Sequence, residues 1–219
     1  MKSVLLIGMG KFGQTLGQKL LDMEDEVLIV DKNEDTVNSL APMYTNALIA
    51  NCMNVNNLKK MDIPSFDVCI VAIGDDFQSS LEITSLLKEC GAKYVVAKAA
   101  TDIQRKFLLR NGADEVIYPD LDIAEKLAVK LNVNNVYDYI ELDAQHSIFE
   151  LAIPRGWVGK SILDIGPRNK YGINILTVKN ADGTVLGNPT AEYVFVQGDK
   201  IVVFGETNKI IQFSDKEVG

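Results

Sequence analysis

Three cysteines, one histidine and one tryptophan are all that those residue types contribute to a chain of 219 residues. Each shortage closes a class of chemistry. Cys52, Cys69 and Cys90 are odd in number and widely spaced, so neither a disulfide framework nor a metal cluster can be written from them, and they read as small packing residues. With His146 as the sole imidazole, no Ser/His/Asp triad can be assembled, and a residue in AQHSI with no Cys or acidic partner at ligand spacing reads as a turn or surface position. Ser147 and Ser161 are expected in turns, and Tyr139 and Tyr171 as apolar anchors with a polar tip. No basic run exceeds the pair Lys59-Lys60 and the net charge is −8, which excludes a surface that tracks nucleic-acid phosphates. No apolar run approaches the roughly 18 residues of a membrane span, and strand-like sequence begins straight after Met1 and Lys2. The expectation is a soluble, cytoplasmic chain with no segment inserted in a membrane. No repeat of fixed period and no low-complexity stretch occurs.

What is present begins at the N-terminus. The run Ser3 to Gly13, SVLLIGMGKFG, sets a buried-strand pattern directly before Gly8-x-Gly10-x-x-Gly13, and Asp31 closes the next strand-like run, Glu26 to Asp31. The three glycines have separate physical tasks: Gly8 permits the tight turn, Gly10 lets backbone approach a diphosphate, and Gly13 lets the following helix lie close to the sheet. That helix opens with free N–H groups aimed at phosphate. An acid at position 31 can accept from adenosine ribose hydroxyls and would repel a 2′-phosphate, so the pattern favours NAD, ATP or ADP over NADP.

Further short β-rich runs follow at Asn46 to Ala50, Asp67 to Ala72, Tyr94 to Ala97 and Glu115 to Tyr118, separated by helical patterns such as Phe77 to Cys90, which Gly91 terminates. Six apolar strands alternating with helices imply an α/β, doubly wound parallel sheet of the Rossmann type. A helix is expected over Leu121 to Leu131, whose Ile123, Leu127 and Leu131 form a face open to two readings, core or interface. Asn132 to Tyr139 has no clear period, and a domain boundary is set there, giving residues 1–134 and 135–219. Beyond it, EL, IFELAI, INILTV, YVFV and KIVVFG read as short strands joined by turns such as Ala181-Asp182-Gly183, a small α+β module.

The whole chain resembles the cytosolic RCK proteins, built of TrkA-N and TrkA-C parts, that regulate bacterial Ktr and Trk potassium-uptake systems. The resemblance rests on GMGKFG at Gly8 to Gly13, VDKNEDTV at Val30 to Val37, ANCMN at Ala50 to Asn54, VAIGDDFQSSL at Val71 to Leu81, VAKA at Val96 to Ala99 and LLRNGADEVIYPD at Leu108 to Asp120. In the second half it rests on GKSILDIGPRNKYGINILTV at Gly159 to Val178 and GDKIVVFG at Gly198 to Gly205.

The resemblance implies a nucleotide-gated regulator without turnover, whose dimers assemble into an octameric ring on the cytoplasmic face of a membrane potassium channel or transporter. By motif position it assigns Gly8, Gly10 and Gly13 to the phosphates, Asp31 to the ribose, and Asn51 and Cys52 near the adenine, with Lys11, Phe12 and Lys32 also among the nucleotide-binding residues. Ile73, Gly74 and Asp75 would flank the cleft, with Lys98 and Arg105 beyond them. ATP and ADP are the implied ligands, NAD or NADH alternatives in the same cleft. Lys11 departs from the arginine common at that place and supplies charge without the bidentate fork. Asp120 matches a position that helps hold a cation at the nucleotide, with Asp122 an equally available carboxylate. In the C-terminal lobe the resemblance implies cyclic di-AMP across a two-fold axis, with Ile162, Leu163 and Pro189 as walls, Arg168 on phosphate and Asn174 on a base or phosphate edge. Asn169 and Lys170 are equally read as the solvated end of a helix.

A second function remains open from the residues: a small NAD-dependent oxidoreductase, since the same glycine turn and acid serve dehydrogenases. Against it, no proton donor for a substrate is evident. Asp75-Asp76 is read as the cap of the helix that begins near Phe77 rather than as a metal site.

Overall fold

The computed structural model describes residues 1–133 and 135–218. Two compact units divide it, Met1–Asp120 and Leu121–Gly219. The first alternates β1 (Ser3–Ile7), α1 (Lys11–Asp22), β2 (Glu26–Asp31), α2 (Glu34–Leu40), β3 (Asn46–Ile49), α3 (Val55–Lys59), β4 (Val68–Val71), α4 (Phe77–Glu89), β5 (Val95–Lys98), α5 (Asp102–Arg110) and β6 (Glu115–Ile117). All six strands are parallel, in the order β3-β2-β1-β4-β5-β6. The expected doubly wound sheet is therefore the observed one. Its central strands are apolar because both their faces are covered, Leu5 and Ile7 joining one buried cluster and Val4 and Leu6 the other, whereas Leu48 and Ile49 of edge strand β3 are exposed. Cys69 is fully buried beside Val95, as its packing role predicts. Helix α4 ends where Gly91 takes a φ of +88° and Ala92 N–H donates to the Leu87 carbonyl, the closing bond that a left-handed glycine permits.

The far end of this sheet is tied by Asp114, whose carboxylate accepts from Val95 N–H at 2.7 Å and from Lys88 Nζ at 3.0 Å. Partial burial alone would raise its pKa, but the backbone bond and the ammonium outweigh it and hold the carboxyl below the usual 3.8. A depressed carboxyl contributes stability above its unfolded pKa, and the contribution is lost as pH falls through the folded value. Asp114→Asn is thus expected to lower the melting temperature near neutrality, by a deficit that shrinks as pH falls below 3.8 and through the depressed folded value. Thermal unfolding across pH checks this, and a deficit that does not shrink as pH falls from neutrality to well below 3.8 would contradict it.

The second unit contains α6 (Pro119–Asn132, entered from the first unit), β7 (Val136–Glu141), β8 (His146–Ala152), α7 (Ile162–Ile165), α8 (Pro167–Tyr171), β9 (Ile173–Lys179), β10 (Val185–Gly187), β11 (Lys200–Glu206) and α9 (Thr207–Phe213). Its antiparallel sheet runs β10-β9-β11-β8-β7. Alternation is clean in β8, where Ser147, Phe149 and Leu151 are buried and their neighbours are not. Trp157, Phe195, Phe213 and Tyr171 pack as an aromatic group on the same core.

Several expectations need correction here. The segment expected to lack period, Asn132 to Tyr139, contains most of edge strand β7, of which only Tyr139 is buried; an edge strand with a bulge between Val136 and Asp138 leaves little hydrophobic pattern. YVFV is no strand: Phe195 is driven into the core, its neighbours are exposed, and Val194 makes only an isolated bridge to Ser161. The strand actually present nearby, β10, has three exposed residues and is held by pairing to β9 alone. Ser147 is no turn residue but lies buried within β8, its hydroxyl 2.7 Å from that of Thr207. His146 opens β8 and does have an acidic partner, Asp143, at 3.1 Å. The two compact units meet in sequence between Asp120 and Leu121, and Val129 of α6 packs on the second unit's core.

Candidate functional site

The chain reverses out of β1 at Gly8, whose φ of +94° suits glycine alone and whose N–H donates to the Val30 carbonyl at 2.8 Å. A Cβ there would meet Ile73 at 2.8 Å. Gly10 follows as the N-cap of α1 with no side-chain cap, and a Cβ at this residue would meet nothing within 4 Å. No acidic residue stands in the first turn of α1. Among the described residues the first N–H groups of this twelve-residue helix are therefore left without a partner and with the positive end of its dipole intact, the arrangement that takes a phosphate. Gly13 lies inward of this turn, where a Cβ would come within 2.1 Å of the Gly8 carbonyl oxygen.

A cavity of about 520 Å³ opens over the ends of β1, β2, β4 and β5. Of the residues expected at a nucleotide, Gly8, Gly10, Lys11, Phe12, Asp31, Lys32, Asn51, Cys52, Ile73, Gly74, Asp75 and Lys98 line it. Gly13 shapes it from beneath. Arg105, exposed on α5, and Asp120, exposed in α6, are outside its lining. Ala50, Met53, Asp76, Ser79 and Ile83 line it without having been assigned to it. Met53 and Ser79 are joined, Ser79 Oγ standing 3.1 Å from the Met53 sulfur, a contact no local pattern announces.

Asp31 is half-buried and already at work: one carboxylate oxygen accepts from Met9 N–H at 2.7 Å and the other from Asn33 N–H at 2.9 Å. It thus pins the glycine turn to β2 while its remaining lone pairs face the cavity. Asp76 caps α4 by accepting from Ser79 N–H, and the Ser79 hydroxyl and N–H together hold its pKa below the carboxylate range. The cap reading of the Asp75-Asp76 pair holds for Asp76. Burial, with a smaller effect of Asp31, pushes the Cys52 thiol up to about 12, so it stays protonated and offers an apolar wall rather than a nucleophile.

The second unit carries its own concavity, about 310 Å³, lined by Ile162, Leu163, Arg168, Asn174 and Pro189, all five of the residues assigned there, together with Gly166, Pro167, Asn169, Ile173, Ile175 and Ala191. Its rim is built by two tight helices. Ser161 and Asp164 form a reciprocal capping box at the start of α7, and Gly166 ends α7 at a φ of +59° so that Pro167 can open α8. The arginine is exposed and enters no ion pair among the described residues. No group of three or more His, Cys, Asp or Glu side chains able to hold a metal occurs among the described residues.

Comparison with known proteins decides the family. A TrkA-N domain model matches residues 4–119 and a TrkA-C domain model matches residues 147–216. The chain belongs to the TrkA-N/TrkA-C, or RCK, family. It is 38% identical to Ktr system potassium uptake protein A and 35% identical to Ktr system potassium uptake protein C, both of Bacillus subtilis (strain 168), over 98% of this chain and 96% and 97% of theirs. Ktr system potassium uptake protein A of Vibrio alginolyticus is 29% identical over 95% of this chain and 94% of its own length. Among solved structures, the GsuK RCK domain superposes with a TM-score of 0.69 at 17% identity, covering 98% of this chain and 47% of that one, a likeness of fold. Over nearly its whole length this RCK chain is thus similar to the Ktr system proteins. Among its described residues no helix is long and apolar enough to cross a membrane.

Proposed function

We propose that this RCK protein is a cytoplasmic regulatory subunit that controls a membrane potassium channel or transporter by binding an adenine nucleotide. The observation that carries the reading is the cavity over β1, β2 and β4, where an open helix N-terminus and a ribose-competent acid stand on the same rim. Asp31 accepts the ribose hydroxyls, Gly8, Gly10 and α1 receive the phosphates, and Asn51 and Cys52 border the base. Near-full-length likeness to Ktr potassium uptake proteins supports the biological setting. ATP and ADP are the ligands proposed first, NAD and NADH next. A cation at Asp120 would have to complete its shell from the nucleotide and a second copy, because that carboxylate stands outside the cavity of its own chain.

No turnover is required. A nucleotide regulates by binding two shapes of an assembly unequally, and a tenfold preference at one site supplies about 1.4 kcal/mol towards one shape. Copies assembled as a ring of dimers, eight in all, would sum such increments. The second concavity, with exposed Arg168 over apolar walls, takes a cyclic di-AMP shared between two copies.

The test is calorimetric titration of the full chain with ATP, ADP, NADH and cyclic di-AMP, followed by potassium flux in proteoliposomes with the cognate membrane subunit. Nucleotide binding coupled to a change in flux is expected; flux indifferent to every ligand would end the regulatory reading. At the second site, Arg168→Gln is expected to weaken cyclic di-AMP at least tenfold with no loss of thermal stability, since the lost bonds are charge-assisted ones to the ligand alone. Unchanged affinity in that variant would remove the assignment.

A further inference from the structure

Of the three lysines that line the cavity, Lys98 alone is half-buried, Lys11 and Lys32 being exposed. Its aliphatic stem lies across Gly74, where a Cβ would stand 2.9 Å from Nζ and 3.4 Å from Cε, so the stem occupies the space a side chain at 74 would need. The ammonium is brought back to within 5.6 Å of the centre of the Phe12 ring, in the first turn of α1. Among the described residues it makes no hydrogen bond and no ion pair. The acidic neighbours on the same rim are otherwise engaged or turned to solvent: Asp31 holds Met9 and Asn33, Asp76 holds Ser79 and faces Lys32, and Asp75 is exposed.

Sheet order decides what this ammonium meets. Along the carboxyl edge the sequence of rims is Asp31 on β2, the glycine turn on β1, Gly74 after β4 and Lys98 on β5. Three strand spacings separate Asp31 from Lys98, about 14 Å. A ligand with its ribose on Asp31 and its diphosphate on the glycine turn must direct whatever follows the diphosphate towards Lys98. A half-buried ammonium without a counter-charge, beside a helix N-terminus of the same sign, favours an added negative charge and opposes a positive one.

We propose that Lys98 is the specificity-determining residue that reads the charge of the group beyond the diphosphate. A third phosphate gains from it, so ATP is bound more tightly than ADP. A cationic nicotinamide is repelled and a neutral dihydronicotinamide is not, so NADH is bound more tightly than NAD⁺. The same lysine therefore makes the site responsive to both phosphate charge and nicotinamide oxidation state. This rests on the adenine-nucleotide reading of the cavity and adds to it which end of the ligand sets the preference.

The experiment is calorimetric titration of the full chain and of Lys98→Gln with ATP, ADP, NADH and NAD⁺, without divalent cation. The glutamine variant is expected to lower the ATP-to-ADP affinity ratio about tenfold, the equivalent of about 1.4 kcal/mol, and to bring the NADH-to-NAD⁺ ratio towards one. Lys98→Arg, which keeps the charge, is expected to retain both preferences. Wild-type ratios in Lys98→Gln, with ADP still bound, would overturn the proposal while leaving the nucleotide reading intact; a wild-type chain that binds none of the four would remove the reading itself. Should the glutamine variant fail to fold, the wild-type ATP-to-ADP ratio must still fall as salt rises from about 0.05 to 0.5 M, and a ratio independent of salt overturns the role of charge.

Discussion

Gly13→Ala is expected to destabilise the first unit by about 3 kcal/mol and to abolish nucleotide binding, although the change adds a single methyl to a helix. The methyl has nowhere to go: at 2.1 Å it would overlap the Gly8 carbonyl oxygen, a backbone atom, with the Ala72 side chain 3.5 Å away on the other side. Helix propensity alone would make the substitution favourable by up to about 1 kcal/mol, so the sign of the result separates the two effects. Relief requires α1 to lift from the sheet, which drags the Gly10 cap and the first N–H groups away from the phosphate position. Differential scanning calorimetry should place the melting transition of the first unit roughly 10 °C lower. A transition within 2 °C of the wild type would show that the helix shifts at little cost, and the close approach would lose its importance.

Asp31 carries the second large effect, and two substitutions divide it. Alanine leaves Met9 N–H, in a residue 1% exposed, without its acceptor and removes the ribose anchor at once. A stability loss of about 1 to 3 kcal/mol is expected together with a nucleotide affinity lowered at least tenfold. Asparagine keeps an oxygen for Met9 and loses the charge. Melting temperature should then return most of the way, while ATP affinity stays depressed and discrimination against a 2′-phosphate relaxes, so that NADPH approaches NADH. Thermal unfolding and titration of both variants check this; Asp31→Asn with the full wild-type affinity and selectivity would mean that the ribose is held elsewhere.

The Asp31 case marks the limit of reading by motif. Position 31 is legible as a ribose acid from its distance after the glycine turn, but its bond to Met9 ties the end of β2 to that turn and has no signature in either segment. The same holds for Lys98: VAKA announces a strand end with a lysine, whereas the return of its ammonium over Phe12 depends on Gly74 being bare after the neighbouring strand, β4. Arg105, which the family resemblance implies at the cleft, is exposed on α5 and outside the lining of the cavity.

In the second unit β8 and β11, with a buried alternation, and β9, with its apolar run INILTV, were legible, and the strands with neither were not. β7 and β10 exist because a neighbour offers unpaired N–H and C=O groups, so their evidence lies in the partner strand. YVFV misled for the opposite reason, being apolar through one aromatic anchor rather than through a paired face.

By itself, then, the sequence determined which segments must be buried on both faces, where the chain must turn through glycine and that a helix N-terminus stands bare beside an acid. Those properties follow from residue size, backbone freedom and charge at fixed spacing, which are local. The tertiary structure alone decided that residues from 7 to 98 share one cavity, that residues from 162 to 191 share another, and that Asp31 and Lys98 face it from opposite ends. Such proximity is set by strand order and by side chains reaching across several strands, and no periodicity in a linear chain records it.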